Sequence, residues 1–170
     1  MRKTAVVGCI AIAVLAAGCG SGSANPPTTK ASASTTTRDP TTALTRAIRQ
    51  ALRKNYQLSS YVLWHNAIPA SAQQSTRGPA LAALRNAAAQ RRKSGIRIKP
   101  ISGLLTIISV SLDPSFTKAT ATTIASGRVR PYEGGKAEPR TIALHERARI
   151  QLRRLGRSQN FVVWQVTTLR

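Results

Sequence analysis

Residues 95–112 read GIRIKPISGLLTIISVSL. Ile96 and Ile98 alternate with Arg97 and Lys99, and Leu104, Thr106, Ile108, Val110 and Leu112 recur at every second position. Alternation of period 2 marks a half-buried strand, because successive side chains point to opposite faces of a sheet. Upstream of Gly95 the period is different. Asp39-Pro40 reads as an N-cap with proline at the first helical position. Leu44, Ile48 and Leu52 then recur at helical spacing, with Arg46, Arg49 and Arg53 on another face. This first helix is expected to end near Asn55. The apolar patch Tyr61–His65, closed by Pro69, predicts a second, shorter helix. Gly78-Pro79 opens a third, with Leu81, Leu84 and Ala88 on its buried face and Gly95 as its C-terminal cap behind Arg91, Arg92 and Lys93.

Downstream, Asp113-Pro114 closes the alternating run, and residues 116–129, rich in Thr and Ala, predict a third strand ended by the turn Glu133-Gly134-Gly135-Lys136. Ile142, Leu144, Ala148, Ile150 and Leu152 alternate as well. Leu144, Ala148, Leu152 and Leu155 would also suit a helix; the strand is the reading adopted. A hairpin connection at Leu155-Gly156-Arg157 leads to the β-branched and aromatic run Phe161–Val166. Helices followed by antiparallel strands make an α+β domain, with N-terminal helices packed on a curved antiparallel sheet, over residues 39–170.

The N-terminus has a different character. Arg2 and Lys3 precede an uncharged apolar stretch from Thr4 to Leu15, then Ala16, Ala17, Gly18 and Cys19. About twelve apolar residues are too few to span a bilayer, so residues 1–18 read as a signal peptide. Leu15-Ala16-Ala17-Gly18-Cys19 resembles the lipobox of bacterial lipoproteins. That resemblance implies cleavage between Gly18 and Cys19, acylation of the Cys19 thiol, and a lipid-anchored protein on the outer face of the cell membrane. With Cys9 removed in the signal and Cys19 acylated, no thiol is left for a disulfide, a metal site or a nucleophile. Residues 20–38 (GSGSANPPTTKASASTTTR) contain almost nothing to bury and read as a Ser/Thr/Pro-rich linker. As a flexible coil it reaches roughly 25 Å root-mean-square, keeping the domain near the membrane.

The chain carries 26 Lys+Arg against 5 Asp+Glu. Without Arg2 and Lys3, 24 cations face five carboxylates, a formal charge of +19. Such a field attracts polyanions, which outside the membrane means acidic lipid head groups or anionic cell-wall polymers. Arg147, Arg149, Arg153 and Arg154 are the candidate contacts, beside Arg46/Arg49/Arg53/Lys54, Arg91/Arg92/Lys93 and Arg128/Arg130. Nucleic acid is disfavoured, because the seven aromatic residues do not interleave with the basic clusters as a stacking platform requires.

Gly78-Pro79-Ala80-Leu81, the basic stretch ending at Gly95, the Ile96–Pro100 strand and the closing Leu155-Gly156 to Val166 hairpin resemble small secreted lipoproteins of high-GC Gram-positive bacteria in the nuclear transport factor 2-like superfamily. The resemblance covers roughly residues 39–168 and implies a cone-shaped cup of curved sheet closed by helices. Such cups host dehydratases, isomerases, and secretion or conjugation components as well as binding domains. An enzyme would need an acid or base inside the cup. The candidates are Glu146, His65, His145, Asp113 and the hydroxyls of Tyr56 and Tyr61. Asp113 reads as a turn residue, and His145 shares a solvent face with Arg147 and Arg149. His65 lines the cup or is structural. Glu146 alternates with Ala148 and Ile150, so it is an acid or base in the cup, a partner for an arginine, or the mark of a bulge. No metal-ligand cluster, phosphate loop or nucleophile elbow occurs in the sequence. No catalytic residue, metal or cofactor is expected. The leading reading is a non-enzymatic envelope-binding or accessory domain, with a cup enzyme and a component of a secretion or conjugation complex, contacting a protein partner, as alternatives.

Overall fold

The computed structural model describes residues 40–169. The stretches expected to be a signal peptide, a cleavage and lipidation site at Gly18/Cys19, a linker and the Asp39 cap lie outside the described residues. Within them the fold is α+β: two helices pack on one face of a curved antiparallel sheet.

Helix α1 runs from Pro40 to His65 without a break, so the two helices expected on either side of Asn55–Ser60 are one. Two polar residues of the intervening stretch, Asn55 and Ser59, face inward and are satisfied there. The Asn55 amide Nδ2 donates to Thr76 Oγ1 at 2.7 Å, and the Ser59 hydroxyl donates to the Asn55 carbonyl one turn back at 3.0 Å. At 1.5 Å per residue, 26 residues give a rod about 39 Å long, enough to span the sheet. Leu44, Ile48, Leu52 and Tyr56 line its buried face, while Arg46, Arg49, Arg53 and Lys54 are exposed on the other. Asn66 ends it in the left-handed region, φ 51°, which an asparagine tolerates. After a 3₁₀ turn over Ala70–Gln74, helix α2 spans Gly78–Ser94 as anticipated, with Pro79 in its first turn and Gly95 at φ 70° closing it on the carbonyls of Arg91 and Arg92.

The strands are β1 Ile96–Leu112, β2 Lys118–Glu133, β3 Lys136–Ala137, β4 Ile142–Arg154 and β5 Phe161–Leu169. Their order is β1-β2-β4-β5, with every pairing antiparallel and β3 a short addition to the end of β2. The strand expected to stop near 129 continues to Glu133, and the two alternating runs of 96–112 are one strand. Its register against β2 shifts between Pro100 and Ser102 and again between Ile107 and Ser109. An extra residue at a bulge reverses the side to which later residues point. Leu104 and Ile108, grouped by alternation with Val110 and Leu112, are therefore separated from them. Val110 and Leu112 pack on the core with Leu105 and Ile107, whereas Leu104 and Ile108 face solvent, 60% and 49% exposed. Between the shifts Gly103 pairs with Gly127, and a Cβ on Gly127 would come within 2.2 Å of the Ser102 carbonyl oxygen. Only glycine allows that approach.

The core lies between α1 and the sheet. Ile48 and Leu52 meet Leu152, Val163 and Phe161, and β2 offers Ala119 and Ala121, whose small side chains let the helix lie close. Further along, Tyr56 and Leu63 pack on Ala125 and Val129. Leu58 and Val62 join α1 to Leu81 and Ala88 of α2.

Candidate functional site: the open face of the sheet

Among the described residues, β4 exposes the side chains of its second face from His145 to Arg153, and register determines what that face presents. In β4, Ala148, Ile150 and Leu152 point at α1, so His145, Arg147, Arg149, Gln151 and Arg153 point away and are exposed. Cross-strand partners share a face, which places Ser126, Ile124, Thr122, Thr120 and Lys118 of β2 beside them in that order. Arg128 continues the β2 row. Successive outward residues on a strand are about 7 Å apart, so Arg147 and Arg149 form a stripe, with Thr122 and Thr167 beside Arg149 and Ile124 and Leu169 beside Arg147. None of these positions is a carboxylate.

Of the four arginines expected to act together, two are engaged within the protein. Arg154 points into the hairpin, where Nε donates to the Ser158 carbonyl at 2.5 Å and Nη2 to the Arg157 carbonyl at 3.3 Å. Arg153 stays on the open face, with its guanidinium 3.9 Å from the Trp164 ring centre. A side chain on Gly78 would come within 2.8 Å of the same ring, so Trp164 is held by the start of α2 as well as by Arg153. Lys118 and Arg128 were not grouped with the stripe at the sequence level, since only the register of β2 against β4 puts them there.

The second basic cluster is also partly structural. Arg91 Nε donates to Asn66 Oδ1 at 3.0 Å and Nη2 to the Val62 carbonyl at 3.3 Å, while Asn66 Nδ2 donates to the Ile96 carbonyl at 2.7 Å. Burial lowers the Arg91 pKa below its ordinary value. The charge of the chain is thus not one undifferentiated surface.

The candidate acids and bases do not converge. Glu146 is half-buried opposite Ala125 on the helix-covered face, and its Oε1 accepts a hydrogen bond from the Thr168 hydroxyl at 2.6 Å. Alternation placed its side chain correctly, and a hydroxyl rather than an arginine partners it there. His65 lies outside the core, at the exposed end of α1, with its ring stacked 4.2 Å from that of Tyr61. It borders a shallow cleft of about 350 Å³ with Asn66, Arg92, Gly95, Arg97, Tyr132 and Gly135, and Glu146 does not line it. Asp113 is a turn residue as anticipated. Its carboxylate takes the hydroxyl of Ser115, the N–H of Lys118 at 2.7 Å, and the N–H and hydroxyl of Thr117 at 2.8 and 3.2 Å. These bonds, Ser115 foremost, hold its pKa below the usual carboxylate range. The Tyr56 hydroxyl is buried without a hydrogen-bond partner, and desolvation pushes its pKa up to about 12. Among the described residues no group of three or more His, Cys, Asp or Glu could hold a metal ion, and no helix is long and apolar enough to cross a membrane.

No protein-family model and no curated protein sequence matches the chain. Its architecture is similar to that of the crystal structure of the intermembrane space region of chloroplast protein ARC6, with a TM-score of 0.62 over 73% of this chain and 95% of that one. At 13% identity the likeness is one of fold alone.

Proposed function

We propose that the chain is a bacterial lipoprotein, anchored through acylated Cys19 to the outer face of the cell membrane. In this reading its domain is a nuclear transport factor 2-like cone that serves the envelope as a non-enzymatic binding or accessory module. The open face of the sheet is its contact with anionic lipid or wall polymer. One observation carries the reading: Arg147, Arg149, Lys118 and Arg128 are exposed on one face, and among the described residues of β2 and β4 on that face none is a carboxylate. The interior supports a binding role over a cup enzyme. Leu44, Ile48, Leu52 and Tyr56 fill the space between α1 and the sheet, and Glu146 is bonded to Thr168.

Each cation near an anionic surface contributes on the order of 1 kcal/mol, so a few of them give weak, reversible attachment that complements the lipid. The test is co-sedimentation of residues 39–170 with acidic and neutral vesicles across a salt series. Binding to the acidic vesicles alone, lost as salt rises, is expected, since screening acts over about 8 Å at physiological ionic strength. Equal binding to both vesicles, or indifference to salt, would refute the electrostatic contact. For the anchor, metabolic labelling with a fatty acid should mark the native chain and leave Cys19→Ala unlabelled.

A further inference from the structure

The outer edge of β1 is a second uncovered feature, independent of the arginine stripe. β1 ends the strand order, and among the described residues no backbone hydrogen bond leaves its outer edge toward another segment between Arg97 and Leu112. An unpaired strand edge presents a row of N–H and C=O groups whose natural complement is another strand. The opposite edge of the sheet differs. There Ser75–Arg77 lies against β5, with Val163 N–H donating to the Ser75 carbonyl at 2.8 Å and Arg77 N–H to the Val163 carbonyl at 2.9 Å.

In a chain of net charge +21, residues 100–112 contain no charged side chain. Ile101, Leu104 and Ile108, 46%, 60% and 49% exposed, make β1 the strand richest in exposed large apolar residues. The run is bracketed by Arg97 and Lys99 at one end and by Asp113 at the other. Asp113 is one of only five carboxylates in the chain and is fixed by its four hydrogen bonds within the turn.

We propose that β1 is a self-association edge: two copies of this chain pair their β1 strands antiparallel, joining the two sheets into one. The charges select the direction. Antiparallel pairing centred near Leu105 brings Arg97 of one copy opposite Asp113 of the other and keeps the neutral runs together. Parallel pairing would set Arg97 against Arg97, and like charges directly opposite are unfavourable. The neutral edge is also the surface along which two strongly cationic bodies repel least. With the β5 edge occupied at Val163, the pairing closes as a two-fold dimer instead of propagating.

The test measures the mass of the full chain in mild detergent by light scattering, over a range of concentration at low and high salt. A two-copy mass that strengthens with salt is expected, because salt screens repulsion between the copies. This is the opposite of the salt response predicted for the arginine stripe, so the two readings fail separately. Leu104→Lys with Ile108→Lys should weaken association on the order of tenfold or more. Both sites are exposed, so the circular dichroism and melting temperature should be unchanged. Thr120→Lys with Thr122→Lys adds the same charge within the open face and should leave the mass as it was. A single-copy mass under all conditions would overturn the proposal, as would a dimer unaffected at Leu104 and Ile108. So would a monomer in which the amides of residues 101–112 exchange slowly, which would assign the edge to the chain's own residues 20–38.

Discussion

On the helix-covered face of the sheet, β2 and β4 present Ala119, Ala121, Ala125, Ala148, Ile150 and Leu152; one position away on the same strands they present Lys118, Thr120, Thr122, Arg147, Arg149 and Arg153. Neighbours along a single strand thus meet opposite requirements. Under α1 a side chain must be small or apolar, because water is excluded and a charge there needs a partner. Glu146, a carboxylate on that side, is half-buried and has Thr168. On the open face Arg147 and Arg149 are exposed to water, which solvates their guanidinium groups without a carboxylate partner. Substitutions on the two faces should therefore separate stability from binding.

The largest effect belongs to the covered face. Leu152 is fully buried among Ile48, Leu52 and Val163, and Leu152→Ala should lower unfolding free energy by about 2–5 kcal/mol, read from the urea midpoint. Gly127→Ala comes next, at about 1–3 kcal/mol, because its methyl group meets the Ser102 carbonyl and forces β1 away from β2. An unchanged urea midpoint in either variant would break the contrast.

Tyr56 sharpens it through pH. Its pKa is raised to about 12, so the folded state retains a proton that the unfolded chain releases near 10. The folded state then binds more protons between those values, and the stability linked to this group is complete below pH 10 and declines as pH rises toward 12. Tyr56→Phe should remove that part of the decline, measured as the difference between the two chains in alkaline urea melts. Near neutral pH the variant should be no less stable, since the hydroxyl has no partner to lose. The smallest effect on stability is expected on the open face. Arg147→Gln with Arg149→Gln should change unfolding by no more than about 0.5 kcal/mol per site, yet lower binding to acidic vesicles by roughly 1 kcal/mol per lost charge. A large loss of stability in that double variant would mean that the stripe is structural.

Much of this was legible in sequence because it depends on neighbours. The switch of period at Gly95, the α2 caps at Pro79 and Gly95, the Gly134-Gly135 hairpin and the outward direction of Arg147 and Arg149 all follow from local spacing. What escaped depends on distant partners. Asn55 reads as the end of a helix until Thr76, 21 residues away, accepts its hydrogen bond. The bulge at Ile107–Ser109 exists only relative to β2, and without it Leu104 and Ile108 fall on the same side as Val110 and Leu112. The partners of Arg154, the hairpin carbonyls of Arg157 and Ser158, are set only once the hairpin is in place.

Trp164 gives the open face an optical signal of its own. The chain has two tryptophans, and this one lies under the Arg153 guanidinium, whereas Trp64 packs edge-on against Tyr132 near Lys99. An anion that draws Arg153 away would change the polarity and charge at the Trp164 indole, so occupancy should appear as a shift or quenching of intrinsic emission. Trp64→Phe would assign that emission to a single residue. The same chain could then be titrated with lipid or polymer without attaching a dye to a surface whose own charges are in question.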